Sequence, residues 1–156
     1  MKIKIEDIPP QGLHQEANYD PKELDMEIDD HPYSLPVKFS TPIFAIADIH
    51  LYDKELVVEV VVTYKLKMVC SRCLDEFERE FEKKFIFNYN TRGLEVIDIT
   101  SDIRDEIILG YPQKPLCRAD CKGICPRCGV NLNTEKCKCQ KDNQEVKNGQ
   151  SQKKTF

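Results

Sequence analysis

Hydrophobic residues recur at every second position through the middle of the chain. Ile43, Ala45, Ala47, Ile49 and Leu51 share one face, and so do Val58, Val60, Val62, Tyr64, Leu66 and Met68. Period two is the spacing of a pleated strand, and β-branched residues favour that conformation. Val57, Glu59, Val61, Thr63, Lys65 and Lys67 fill the other face of the second run. Between the two runs, Tyr52-Asp53-Lys54-Glu55 reads as a hairpin turn. A third run places Phe77, Phe81, Phe85, Phe87 and Tyr89 at even spacing, with Arg79 and Lys83 among them and Glu78, Glu80 and Glu82 opposite. Such a series is either a platform on which RNA bases stack or, more ordinarily, the filling of a sheet core. Asn90-Thr91-Arg92-Gly93 closes it.

Shorter elements flank this centre. Residues 2–5 alternate and predict a strand ended by Pro9-Pro10. Residues 12–22 are polar, contain Pro21 and predict a loop. Leu24, Met26 and Ile28 alternate with acidic residues and predict a one-sided strand, with a short helix as the alternative. His31-Pro32 and Pro36 break the chain after it. Thr100 or Ser101 is expected to cap a short helix carrying Asp102 and Asp105 near its first turn. Ile103, Ile107 and Ile108 give that helix its apolar face, and Gly110-Tyr111-Pro112 ends it. Residues 140–156 hold almost nothing to bury and are expected to be a disordered tail.

Length and charge narrow the classes. A chain of 156 residues has room for one domain, or for one with a small appendage. No apolar run approaches the ~18 residues of a membrane span, and the first ten residues lack the apolar centre of a signal peptide. The expectation is a cytoplasmic protein with no membrane partner. Residues 1–113 carry a net −10 and residues 114–156 a net +6. The acidic body argues against indiscriminate phosphate binding, while the basic end suits RNA or an acidic protein surface. Lys114, Arg118, Lys122, Arg127, Lys136 and Lys138 are the candidate RNA contacts. A protein adaptor would use Ile124, Val130 and Leu132 instead.

The cysteines carry the specific chemistry. Eight are present, about 5% of the chain and below the ~8–10% of small disulfide scaffolds. In a reducing compartment such clusters bind metal more often than they form bridges. Their layout is C-x2-C at Cys70 and Cys73, then after 43 residues C-x3-C-x3-C-x2-C-x8-C-x-C from Cys117 to Cys139. A C-x2-C turn aims both sulfurs at one point and suits tetrahedral zinc. Two zinc ions are expected. The preferred partition joins Cys70, Cys73, Cys117 and Cys121 in one site and Cys125, Cys128, Cys137 and Cys139 in another. The crossed alternative sets Cys70/Cys73 with Cys125/Cys128. A thioredoxin-like pair would open a helix in an α/β unit, a context neither C-x2-C has; iron–sulfur ligation is the other rival. His14, His31 and His50 stand far from the cysteines and read as surface residues. No phosphate-binding glycine loop, Ser/His/Asp set or framed carboxylate pair is present, so neither an enzyme nor a small-molecule substrate is expected.

The expected fold is therefore α+β: a mainly antiparallel sheet with a short helix and a C-terminal cysteine-rich zinc knuckle. Residues 1–113 would form the β domain, 114–139 the zinc-binding segment packed on it, and 140–156 the tail. Val69-Cys70-Ser71-Arg72-Cys73-Leu74, Asp105 to Leu109 with Pro112, and above all Pro115 to Asn133 resemble the YceD family of large ribosomal RNA subunit accumulation proteins. The chain differs from the family pattern after Cys139, where its tail is polar. The resemblance implies a bacterial, non-catalytic factor supporting accumulation of large-subunit ribosomal RNA. Its partner would be that RNA, its precursor particle or an assembly protein. The alternative is a zinc-stabilised protein–protein adaptor without direct RNA contact.

Overall fold

Asp53 and Lys54 form a two-residue loop that folds the alternating runs back on each other, with Tyr52 opposite Glu55. The computed structural model describes residues 1–24, 26 and 38–139. Its elements are β1 (Lys2–Lys4), a 3-10 turn (Ile5–Asp7), β2 (Leu13–Tyr19), β3 (Lys38–Phe39), β4 (Ile43–Tyr52), β5 (Glu55–Val69), β6 (Glu76–Asn90), β7 (Val96–Asp98) and α1 (Thr100–Leu109). Five strands make one antiparallel sheet. β6 pairs with β5 along its whole length, from Glu55↔Asn90 to Val69↔Glu76. β4 and β3 therefore share the opposite edge of β5, and β2 pairs on β4. β1 and β7 form a separate two-stranded antiparallel sheet centred on Ile3↔Ile97.

The pleat sorts side chains as the pattern requires. Ile43, Ala45, Ala47 and Ile49 of β4 and Val58, Val60, Val62 and Leu66 of β5 are fully buried. They form one core with Ile103 and Ile107 of α1, and with Met1, Ile3, Leu24, Met26, Ile97 and Ile99. Burying an aliphatic side chain of this size contributes roughly 1.5–3 kcal/mol, so this single face supplies most of the drive to fold. Phe77, Phe81, Phe85, Phe87 and Tyr89 lie half-buried against that core. Phe81 stacks on Tyr64 at 5.6 Å between ring centroids. The aromatic series thus fills the sheet core instead of presenting a stacking platform. Polar bonds fix α1 in place, with Tyr89 Oη donating to Asp102 and Arg104 Nε donating to the Leu24 carbonyl at 2.7 Å.

Three local expectations need correction. Within residues 12–22, Leu13–Tyr19 form β2 and not a loop. Leu13, Ala17 and Tyr19 pack against the core while the β4 edge takes up the backbone, so pairing outweighs the polar composition. Leu24 and Met26 are buried, yet they sit in and after a turn, with Met26 N–H bonded to the Pro21 carbonyl at 3.0 Å. Ile28 lies outside the described residues, as do His31, Pro36 and the tail from residue 140. At the helix start, neither Thr100 nor Ser101 supplies a side-chain cap. The Asp98 carboxylate does so, accepting from the Thr100 N–H at 3.0 Å. No helix among the described residues is long and apolar enough to cross a membrane.

Candidate metal centres

Both C-x2-C segments fold into the same turn. After β5, Leu74 N–H returns to the Cys70 carbonyl at 3.0 Å, and Cys70 N–H bonds to the Asp75 carbonyl. In the second turn, Gly129 N–H returns to the Cys125 carbonyl at 2.8 Å, and Cys125 N–H bonds to the Val130 carbonyl. The residue after each pair has left-handed backbone, with φ +63° at Leu74 and +73° at Gly129. Backbone N–H groups thereby reach Cys70 and Cys73 in the first turn and Cys125 in the second.

The eight sulfurs gather in two groups, Cys70, Cys73, Cys117 and Cys121 in the first and Cys125, Cys128, Cys137 and Cys139 in the second, each with all sulfurs within 4.8 Å of one another. The crossed grouping does not form. Sγ separations are 3.8 Å for Cys70–Cys121 and 3.7 Å for Cys73–Cys117. In the second group Cys128–Cys137 is 3.7 Å and Cys125–Cys137 is 3.2 Å. Four sulfurs each ~2.3 Å from one tetrahedral ion stand ~3.8 Å apart. Both groups can hold a metal ion, and their donor set is compatible with zinc. Their settings differ. Cys70, Cys73 and Cys121 are buried, whereas Cys128 of the second group is exposed.

The local field prepares each group for a cation. Burial works against a Cys70 thiolate, but the N–H groups of Cys117, Cys73 and Arg72 outweigh it and bring the thiol down to about 6. The N–H groups of Cys128 and Arg127, with the Cys137 thiol, bring Cys125 to about 6. Burial also opposes ionisation of Cys121, yet the Asn133 amide and Gly123 N–H leave it below its ordinary value. Cys73 goes the other way: the Asp75 N–H favours its anion, but burial and proton-sharing with Cys70, Cys117 and Cys121 push it up to about 12. Cys139, bonded to Cys128 and Cys137, also stands at about 12. Each group thus forms a first thiolate readily and holds further protons that a metal would displace.

The surrounding residues were only partly visible in the sequence. Arg72 donates to the Cys121 carbonyl at 2.9 Å, and Arg79 to the Leu116 carbonyl at 2.8 Å. Ser71 N–H bonds to the Pro115 carbonyl at 2.8 Å. These contacts fasten residues 115–121 to the sheet. Asn133 sits at the junction of the two groups. Its amide donates to Cys121 Sγ at 3.3 Å, and its Oδ1 accepts from Lys122 N–H and from Arg118, both at 2.8 Å. Asn131 ties the first turn to this junction: its amide donates to Asp75 at 2.6 Å, and its Oδ1 accepts from the Asn133 N–H at 2.9 Å and the Asn133 amide at 2.8 Å. Gly123, at φ +77°, passes so close that a Cβ there would lie 3.0 Å from the Arg72 carbonyl oxygen. Asn131 and Asn133 stood inside the motif already singled out. The roles of Arg72, Arg79 and Asp75 gave no signal, because they depend on contacts across 37–56 residues of chain.

Lys114, Arg118, Lys122, Arg127, Lys136 and Lys138 are all exposed. Arg118 is committed locally, to Asn133 and, at 3.5 Å, to Asp120. Ile124, Val130 and Leu132 are half-buried. His14 is exposed and bonded to Asp48 at 2.7 Å, while His50 is half-buried beside Gly12 and Tyr52, away from both sulfur groups.

The geometry defines an antiparallel β protein with two four-cysteine groups, the first tying Cys117 and Cys121 to the turn after β5 and the second lying within residues 125–139. Residues 88–149 match the family model of the large ribosomal RNA subunit accumulation protein YceD. That match begins after the first cysteine turn and takes in the other six cysteines. An uncharacterized protein of Mycobacterium tuberculosis is 49% identical over 41 residues, 26% of this chain and 20% of that protein. A chloroplastic protein of Arabidopsis thaliana named large ribosomal RNA subunit accumulation protein YCED homolog 1 is 41% identical over 49 residues, 31% of this chain and 15% of its own length. An uncharacterized protein of Mycobacterium leprae is 25% identical over 115 residues, 64% of this chain and 53% of that protein. The chain thus spans between about a seventh and about half of these relatives. No solved structure matches it significantly.

Proposed function

We propose that this chain is a non-enzymatic, zinc-stabilised cytoplasmic factor that supports accumulation of large-subunit ribosomal RNA in a bacterium. On this reading it engages that RNA or its precursor particle through the basic C-terminal segment. The observation that carries the proposal is the coincidence of the family match, residues 88–149, with the segment that holds six of the eight cysteines and all six candidate basic residues. The eight cysteines are the proposed ligands. Zinc is favoured over an iron–sulfur cluster because a multi-iron cluster holds its cysteine sulfurs farther apart, with inorganic sulfide between them, whereas sulfurs ~3.8 Å apart fit one tetrahedral ion.

The adaptor reading is supported by one observation: Arg118 is already engaged by Asn133 and Asp120, which removes a cation from the RNA face. Metal analysis of protein purified under reducing conditions should give close to two zinc ions per chain. One zinc with four freely reactive thiols would reject the two-site scheme, and iron with visible absorption would reject zinc. For function, Lys114, Lys122, Lys136 and Lys138 are replaced together by glutamine, since none is a proposed ligand. RNA contact predicts weaker binding to precursor particles, a flatter salt dependence and reduced large-subunit ribosomal RNA. Parental binding and RNA levels would move the adaptor reading ahead.

A further inference from the structure

β4 and β5 bury one face in the core, and their other face is not the polar surface that an open antiparallel sheet usually turns to water. Phe44, Ile46, Val57 and Val61 lie there, each half-buried. Ile46 stands directly opposite Val61. On β6, Ile86 is opposite Glu59 and so diagonal to both valines. Its side chain is 57% exposed. The five residues form one contiguous apolar patch. At its Phe44 end the patch meets a shallow cleft of about 190 Å³, which Thr63, Lys65 and Glu80 also line. The core makes no use of this patch, because α1 packs against the opposite face of the sheet. Arg79, on that opposite face of β6, holds the Leu116 carbonyl, so residues 115–121 are fastened from the far side as well.

Charge around the patch is mostly of one sign. The open face carries one carboxylate on β2, one on β4, two on β5 and four on β6, against two lysines on β5 and one on β6. Lys67 and Lys84 are already engaged by Glu76 and Glu59. Among the described residues, the carboxylates of Glu80 and Glu82 take no ion pair or hydrogen bond. Glu82 lies in the same cross-strand row as Phe44, through Thr63. We infer that this sheet face docks a cationic protein segment, which lays an apolar strip over Ile46, Val61 and Ile86 and sets lysines or arginines against Glu80 and Glu82. The same carboxylates repel the phosphates of RNA or of an anionic membrane, and two copies of the face repel each other. The inference adds a protein partner to the proposed function and rests on that reading only for the particles used as one of its probes.

The test uses the full chain with two probes: a leucine–lysine amphipathic peptide, with its leucine–glutamate counterpart as control, and purified large-subunit precursor particles. The parent should bind the lysine peptide, with affinity falling as salt rises, and not the glutamate peptide. Ile46→Thr combined with Ile86→Thr keeps β-branched side chains and should weaken peptide binding about tenfold or more, as loss of two apolar contacts requires. Ile86→Thr alone, at an exposed position, should show part of that loss with an unchanged melting temperature and metal content. Glu80→Gln with Glu82→Gln should flatten the salt dependence. Replacing Lys114, Lys122, Lys136 and Lys138 by glutamine should leave peptide binding intact. In particles, a photocrosslinker at position 86 should label a protein other than this chain. Parental peptide binding in the isoleucine and glutamate variants, or a crosslink to RNA or to this chain itself, would overturn the inference and leave the particle-binding reading standing. A parent that discriminates the two peptides but fails to bind particles would support the docking face and overturn the particle-binding reading.

Discussion

Replacing Asn133 with alanine should weaken the first cysteine group and spare the second. The amide donates to Cys121 Sγ at 3.3 Å while its oxygen holds Lys122 N–H and Arg118 at 2.8 Å, so one side chain both supports a thiolate and fixes the loop that presents it. A hydrogen bond to a charged group is worth about 1.5–3 kcal/mol. Charged to site occupancy, that predicts a ~10–150-fold fall in metal affinity, in keeping with the ~10–100-fold typical when a ligand's outer partner is lost. The Cys121 thiol should also lose part of its lowered pKa, which Asn133 helps to cause against the effect of burial. The assay is stepwise zinc release to a chromophoric chelator, combined with alkylation of freed thiols and mass mapping. In the variant, Cys70, Cys73, Cys117 and Cys121 should become reactive at a chelator concentration that leaves them protected in the parent. The reasoning is refuted if the two proteins release metal from that group alike, or if the Cys125 group opens first in the variant alone.

Two further outcomes follow from the geometry. Metal binding should release at least two protons at each centre near pH 7, because Cys73 and Cys117 in one and Cys137 and Cys139 in the other have raised pKa values. Affinity should therefore rise with pH and drop steeply below about 6, where Cys70 and Cys125 also take up protons; calorimetry in buffers of different ionisation enthalpy measures this, and a flat profile from pH 6 to 8 would contradict it. Cys73→Ser should release residues 115–121 from the sheet and lower the melting temperature by several degrees, since a structural zinc site contributes ~10–16 kcal/mol in finger peptides. Cys125→Ser should expose chiefly residues 125–139 in hydrogen exchange, and indistinguishable exchange maps for the two variants would contradict the division of labour.

The parts legible in the sequence are those where one local rule dominates. Alternation over residues 43–51 and 58–68 placed the buried face of β4 and β5 because the pleat leaves no other option. The two C-x2-C turns were equally plain, since their spacing alone sets where both sulfurs point. β2 escapes the pattern because its inner face, Leu13, Gln15, Ala17 and Tyr19, is only half-buried and interrupted by a polar residue, and its reason for being extended lies on β4. The cap of α1 was misplaced for a similar reason: Asp98 caps from within β7, a strand whose own partner, β1, is about 95 residues away. Around the sulfur groups, the ligand residues could be read, but Arg72, Arg79 and Asp75 could not, because each acts on chain that folding alone brings near.

Charge shows how far a count differs from a surface. Residues 114–139 hold six lysines and arginines against Asp120 and Glu135, a net +4. Two ions with four thiolates apiece would each carry a formal −2, so the segment with its metal has little net field of its own. The arginines are used close to the sulfurs: Arg72 serves the carbonyl of Cys121, Arg79 the carbonyl next to Cys117, and Arg118 the asparagine that bonds Cys121. A guanidinium suits that task, since its rigid fork satisfies carbonyl oxygens while its charge offsets the thiolates. Lys114, Lys122, Lys136 and Lys138 have exposed side chains clear of these bonds. The cations free to meet a phosphate backbone are thus the lysines, fewer than composition suggests. RNA binding through these four lysines should accordingly be modest, with a log–log salt slope no steeper than about −4.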